Sequence, residues 1–189
     1  VHLNKWLLNV LVFGTYLTFL AAAAPVITGK SVPVLIADKQ SEFFQVASVE
    51  QAKSLIEIKA IAPDWTSLFQ AAPGAFLRSL LLPMPWHAHN ILMWLSVVEN
   101  LFILGLLLVM IRSFRRSEWN SLSAMTIALF LFGSLIFILS GWVTPLIGAL
   151  VRYKVPGLPF VIFFFVAVSR GSWMSGKSIA LFRNSPVNG

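Results

Sequence analysis

The segment VRYKVPGLPFVIFFF, Val151–Phe165, decides the fold, because it joins a basic corner directly to a long apolar run. Arg152 and Lys154 flank Tyr153, and Pro156 follows before the phenylalanine-rich part. A fixed cation is costly to bury among acyl chains but stays readily in the headgroup layer, where it can meet a lipid phosphate. The segment therefore predicts a point at which the chain enters a membrane, with a basic rim.

The composition of the whole chain supports a membrane protein. Its 189 residues are 58% hydrophobic and 11% charged, whereas a soluble domain is about half apolar and about a quarter charged. The sequence therefore predicts an all-α polytopic membrane protein. The absence of cysteine excludes disulfides and thiolate metal sites. The net charge of +7 is attributed to topology and contact with anionic lipid, so nucleic acid is not expected as a partner.

Four apolar runs predict transmembrane helices, because each is about long enough to cross a bilayer as a helix that rises about 1.5 Å per residue. They are Trp6–Ala24, Ile91–Ile111, Leu122–Ser140 and Val155–Ser169. A signal peptide is the alternative for residues 1–24, but the run is long for that and favours a retained helix. Residues 91–189 then hold helices two to four and a cytoplasmic tail. Gly141 and Pro145 are expected to break the apolar stretch that extends beyond the third helix.

Residues 25–90 form the long connection between the first two spans and predict a small helical cap on the membrane surface. The expected elements are a strand or extended lead-in at Ser31–Ala37, a helix at Ser48–Ile61, and a helix from Asp64 that Pro73 and Gly74 interrupt. Ala75–Leu82 is too short to span and carries Arg78, which favours an interfacial helix.

The basic residues predict the orientation. Lys5, Arg112, Arg115, Arg116, Arg170, Lys177 and Arg183 all fall on one side of a four-span arrangement. By the positive-inside rule that side is cytoplasmic, as are both termini. Residues 25–90 and the corner around Arg152 are then extracytoplasmic. The first residue, Val1, fits a processed chain, an unusual start codon or a piece of something longer.

Glu99 is the only acidic residue within these apolar runs, and with Asn100 it lies near the middle of the second. An ionisable group at that depth indicates a proton site, or a partner for Arg152 or for a substrate cation. The alternative is a protonated or helix-paired carboxyl that fixes packing, with Asn100 as a hydrogen-bonding link between helices.

The sequence predicts no metal site, no cofactor and no catalytic acid pair. His87 and His89 form an H-x-H turn, but a metal site needs further ligands, and hydrogen bonds to water and headgroups explain them. The acids of the long connection are Asp38, Glu42, Glu50, Glu57 and Asp64. They include no D-x-D motif or adjacent pair, and a solvated surface explains them. Whether the chain is an enzyme stays open.

Arg152, Lys154 and Arg78 are the best candidates for binding a lipid phosphate, with Tyr153 beside them. Arginine can place two donors on phosphate oxygens, while lysine acts as a point charge. The alternative is that these cations only anchor the topology and that Tyr153 is an interfacial aromatic.

Three segments carry a resemblance to a known family. They are LLLPMPWHAHNILMWLSVVENLFIL at Leu80–Leu104, LSGWVTPLIGALVRYKVPGLPF at Leu139–Phe160, and within the latter the corner VRYKVPGLPF. They resemble the region near the last spans of polytopic bacterial GT-C-type glycosyltransferases and surface-polysaccharide membrane proteins. In that family an Arg-Tyr pair followed by prolines stands at the outer mouth of a late span. An acid usually follows the Pro-Trp pair, where His87 stands here.

The resemblance implies a bacterial inner membrane and a polyprenyl-phosphate-linked sugar whose phosphate meets Arg152. It also implies a catalytic acid in the first outer loop of a longer chain, which has no match here, so the carry-over ends at Arg152, Tyr153 and Pro156. The first expected function is lipid-phosphate binding at the outer face. The second is a non-catalytic accessory subunit that docks other membrane subunits. A proton-coupled transporter using Glu99 is the third alternative.

Overall fold

The structure, a computed structural model, describes residues 5–49, 55–56, 58–88, 90–113 and 123–168, and most of these residues are helical. The helices are α1 Lys5–Thr28, α2 Val32–Val49, α3 Trp65–Leu81, α4 Ile91–Ser113, α5 Ala124–Val143 and α6 Ile147–Lys154, followed by α7 at residues 158–168. Short 3-10 turns at Pro85–His87 and Val155–Gly157 precede α4 and α7. The predicted all-α class is confirmed.

Four of these helical segments are long and apolar enough to cross a membrane, which confirms a multi-pass membrane protein. They are Leu7–Thr28, Ile91–Arg112, Ala124–Val143 and Ile147–Val168. The third runs through Gly141 without a break and ends before Thr144. The fourth begins before the predicted Val155, because α6 passes into α7 through the 3-10 turn.

Helix α5 is the centre of the bundle and contacts α1, α2, α3 and α6. Phe137 on α5 is fully buried in a cluster that also contains Leu80, Ile103, Val161 and Phe164. Lipid tails are as apolar as these side chains, so shape and close packing, rather than removal from water, stabilise such a cluster within a membrane. Asn9 Nδ2 on α1 donates to the Ala124 carbonyl at 3.1 Å, which places the N-terminal part of α1 beside the start of α5.

The connection between the first two spans is helical, but its elements differ from the predicted ones. Ser31–Ala37 is not a strand, because helix α2 begins at Val32 and places Pro33 in its first turn, where a missing N–H is tolerated. Residues 55, 56 and 58–63 are not helical, contrary to the helix predicted over Ser48–Ile61; residues 50–54 and 57 lie outside the described residues. The Ile56 amide instead donates to the Pro145 carbonyl at 2.7 Å.

Helix α3 is continuous through Pro73 and Gly74, contrary to the predicted interruption, so Ala75–Leu82 is not a separate interfacial helix. The reason is its packing against α5, which overrides the local signal. A Cβ on Gly141 would overlap the Ala75 carbonyl, so the two backbones are in contact there. One turn later, Ser79 Oγ donates to the Phe137 carbonyl at 2.7 Å.

Candidate functional site

The carboxyl end of α3 is closed by a buried lysine from α6. The Lys154 ammonium donates to the carbonyls of Leu82 at 2.6 Å and Ser79 at 3.1 Å, and to Asn100 Oδ1 at 2.7 Å. The Asn100 amide in turn donates to the carbonyls of Leu81 at 2.7 Å and Pro83 at 3.3 Å. Both side chains are almost completely buried.

This arrangement follows from the needs of a helix end at membrane depth. The last carbonyls of a helix have no partner within it, and its C-terminus favours a cation. Non-helical backbone within the hydrocarbon layer is tolerated only where protein groups satisfy it. Asn100 lies near the middle of α4, so α3 ends well below the level at which α4 begins. Lys154 and Asn100 supply the required donors.

The residues of the basic corner face different directions. On α6 the residues Ile147, Leu150 and Lys154 are buried, which makes their stripe the inner face of this short helix. Arg152 is exposed. Tyr153 is about half exposed, and its ring meets that of Phe43 edge-on at 5.8 Å. The corner that the sequence suggested as one phosphate site is therefore divided between the surface and the interior.

Arg78 lies on α3 beside an open pocket of about 470 Å³. The pocket is lined by Lys59, Ala60, Ile61, Ser67, Gln70, Ala71, Gly74 and Arg78. Arg78 Nη2 donates to the Gly141 carbonyl at 3.3 Å, while its Nε is buried without a partner among the described residues. Burial lowers the pKa of Arg78 from its usual value, but a guanidinium remains charged in proteins. The pocket therefore carries two cations, Arg78 and Lys59.

Gln40 holds the segment that bears Lys59. Its side chain on α2 is buried; Nε2 donates to the Trp142 carbonyl at 2.9 Å, and Oε1 accepts from the Ile61 amide at 2.8 Å. A weaker contact of 3.4 Å reaches the Lys59 carbonyl. Gln40 thus joins α2, the end of α5 and one wall of the Arg78 pocket. Its role is not visible in the sequence, since nothing in the pattern around it differs from that of an exposed glutamine.

An apolar groove of about 540 Å³ lies on the other side of α3. It is lined by twelve residues of α1, α2, α3 and α5, of which Trp65, Leu68 and Phe69 belong to α3. At about 100° per residue these three fall opposite the stripe of Ser67, Gly74 and Arg78. The groove is therefore separate from the Arg78 pocket.

The remaining predicted positions take no part in a shared site. Glu99 is exposed on α4. Asp38 and Glu42 form exposed ion pairs of 2.6 Å with Lys30 and Lys39. His87 Nδ1 accepts from the Met84 amide at 3.4 Å.

Within the described residues no three or more histidine or acidic side chains come together in a way that could hold a metal ion. His89, Glu50 and Glu57 lie outside those residues, as do the basic residues Arg115, Arg116, Arg170, Lys177 and Arg183.

No protein-family model, curated protein or solved structure matches this chain. The resemblance to GT-C-type glycosyltransferases therefore stays a hypothesis, and function is inferred from the geometry of the chain itself.

Proposed function

We propose that this protein binds the phosphate group of a membrane lipid in the pocket between Arg78 and Lys59. The observation that carries the proposal is that the half-buried Arg78 side chain lines an open pocket and makes one hydrogen bond among the described residues, from Nη2 to the Gly141 carbonyl. A guanidinium carries five N–H groups, so donors remain for the oxygen atoms of a ligand. A guanidinium can also place two donors on one phosphate.

The position of the pocket suits a lipid rather than a soluble anion. Helix α3 is capped at its start by the exposed Asp64 and ends beside Asn100, near the middle of a membrane span. Arg78 lies one turn before that end, so the pocket runs from the exposed Lys59 segment toward the membrane interior. With the orientation predicted from the basic residues, this is the extracytoplasmic face and both termini are cytoplasmic. The resemblance stated above implies that the membrane is a bacterial inner membrane.

The proposed role is binding without catalysis. The lining of the pocket contains neither a carboxylate nor an imidazole in the part of the chain that the structure describes. General acid–base chemistry on a sugar phosphate would require such a group. An accessory protein that holds a lipid-linked phosphate, such as a polyprenyl-phosphate-linked sugar, for another subunit fits this lining. Arg152 is exposed and lies two residues before the buried Lys154 in the sequence. Its contact with phosphate stays a prediction.

The test compares three probes on the purified chain in detergent by native mass spectrometry. They are farnesyl monophosphate, farnesol, which has the same chain and no phosphate, and inorganic phosphate, which has no chain. We expect farnesyl monophosphate to bind and the other two to bind at least about tenfold more weakly. Equal binding of farnesol would contradict a phosphate site, and equal binding of inorganic phosphate would contradict a lipid ligand.

Lys59 offers a matched pair of variants for the same assay. Lys59→Gln removes the second cation of the pocket and should weaken binding of farnesyl monophosphate about threefold to tenfold. Lys39→Gln removes a cation that lies on the exposed surface in an ion pair with Glu42 and outside the pocket lining. It should leave the affinity unchanged. The same loss in both variants would show that general positive charge, rather than this pocket, attracts the phosphate.

A further inference from the structure

Glu99 is an exposed carboxyl near the middle of an apolar transmembrane helix. In the described part of the chain it forms no ion pair within 4.0 Å, although it interacts electrostatically with the buried Lys154. A carboxyl that faces acyl chains is costly, and such groups in membrane proteins usually face protein or a water-filled cavity. The described residues leave the outward side of Glu99 uncovered.

Glu99 belongs to a stripe of outward-facing residues that repeats with steps of three and four. The stripe, here called the Glu99 stripe, consists of Leu92, Leu95, Glu99, Phe102 and Val109; Leu106, between the last two, is half-buried against the core of the chain. Four of them are largely exposed: Leu92 at 72%, Leu95 at 68%, Phe102 at 63% and Val109 at 51%. Apolar residues at this spacing occur on any lipid-facing helix, so they decide little alone. A single polar residue among them is more informative, because a lone polar residue in the contact face of a coiled coil fixes the register and the number of its helices.

We infer that two copies of this chain associate in the membrane through the Glu99 stripes of their α4 helices. Copies inserted in one membrane share an orientation, so a two-fold axis along the membrane normal places two parallel α4 helices together. Glu99 then meets Glu99 of the second copy at the same depth. Two carboxyls that share at least one proton can hydrogen-bond across the axis, and such bonds link transmembrane helices.

A second copy is the favoured occupant because symmetry alone supplies the polar group at the required depth. A helix of another protein would need its own donor at mid-membrane. The inference does not depend on phosphate binding, since neither Glu99 nor its stripe lines the Arg78 pocket.

The absence of native cysteine permits a clean cross-linking test in membranes. Leu95→Cys and Phe102→Cys place thiols on the Glu99 stripe. Leu101→Cys and Leu108→Cys serve as matched controls, because both residues are exposed on the same helix about 120° away. Under oxidation we expect disulfide-linked dimers at the first two positions and at least about fivefold fewer at the controls.

The contribution of Glu99 is measured in the Leu95→Cys background. Glu99→Leu should reduce the dimer yield about fivefold, while Glu99→Gln, which can still donate and accept, should keep most of it. A melting temperature for each variant in detergent shows that the fold is retained.

Cross-linking that is absent, or equal on both sides of α4, would overturn the inference. So would a yield that Glu99→Leu leaves unchanged. Preferential pairing of Glu99 with a designed polyleucine helix bearing one central asparagine, without dimers of the chain, would also overturn it and assign the stripe to another protein.

Discussion

Lys154 and Asn100 share a hydrogen bond of 2.7 Å that ties α6 to the middle of α4. Because the same ammonium also binds two carbonyls at the end of α3, this pair joins three helices at one point. The protons of Lys154 are therefore directed at protein oxygens, whereas its neighbour Arg152 is exposed.

Lys154→Met should destabilise the protein by about 3 kcal/mol, because it leaves the Ser79 and Leu82 carbonyls and Asn100 Oδ1 without their buried donor. The free energy of unfolding in mixed micelles measures this. Arg152→Met, two residues away and exposed, is the matched control and should change stability by no more than about 0.5 kcal/mol. A similar loss in both variants would refute the structural role of Lys154.

Gln40→Leu should weaken binding of farnesyl monophosphate although Gln40 does not line the pocket. The change removes the hydrogen bond to the Ile61 amide and frees the wall that bears Lys59. We expect a loss of about threefold in affinity and a destabilisation of about 2 kcal/mol. Gln45→Leu on the exposed side of α2 should do neither. Unchanged affinity in Gln40→Leu would show that the position of Lys59 does not matter.

Gly141→Ala should lower the melting temperature, because its Cβ would overlap the Ala75 carbonyl and lie 2.8 Å from Ser79 Oγ. Backbone at such a crossing yields little, so a cost of about 2 kcal/mol is expected. Gly148→Ala adds the same methyl group on α6, where nothing lies within 4 Å. If the two variants have equal stability, α3 and α5 are not in contact at Gly141.

Asp64 should make the first turn of α3 sensitive to acid. The backbone amide and the hydroxyl of Ser67 donate to its carboxylate and lower the pKa of Asp64 from its usual 3.8. A carboxyl with a lowered pKa stabilises the fold above its ordinary pKa, and this contribution is lost as the pH falls through the folded-state value.

Hydrogen exchange of the first-turn amides, corrected for the intrinsic rate, should therefore show full protection at about pH 5 and less below about pH 3.8. Asp64→Asn keeps a capping oxygen and should remove this pH dependence. A protection profile that is equally steep in the asparagine variant would contradict the role of Asp64.

The transmembrane helices could be predicted because a membrane-spanning helix is recognised from the length and apolar composition of one continuous segment. Unbroken apolar length is enough to place α4 and α5 to within a few residues. Their ends depend on neighbours: α5 continues through Gly141, where the missing side chain lets α3 approach. Local signals for the connection failed for the same reason, since α3 is held through Pro73 by its contacts with α5.

The division of the basic corner could not be predicted from the sequence. Arg152 and Lys154 look equivalent along the chain, and the carbonyls that bind Lys154 belong to residues more than seventy positions earlier. Arg78 is recognisable as a phosphate candidate, but Lys59 is not, because only the fold of residues 58–63 brings it to the same pocket.

The affinity of Arg78→Gln for farnesyl monophosphate, measured beside that of Arg152→Gln, tests the central proposal most directly. Each variant removes one guanidinium, but only Arg78 lines the pocket. We predict that Arg78→Gln binds at least about tenfold more weakly than the unaltered protein and that Arg152→Gln loses less than about threefold. Unaltered affinity in Arg78→Gln would contradict phosphate binding at this pocket, and a loss confined to Arg152→Gln would move the site to the exposed corner.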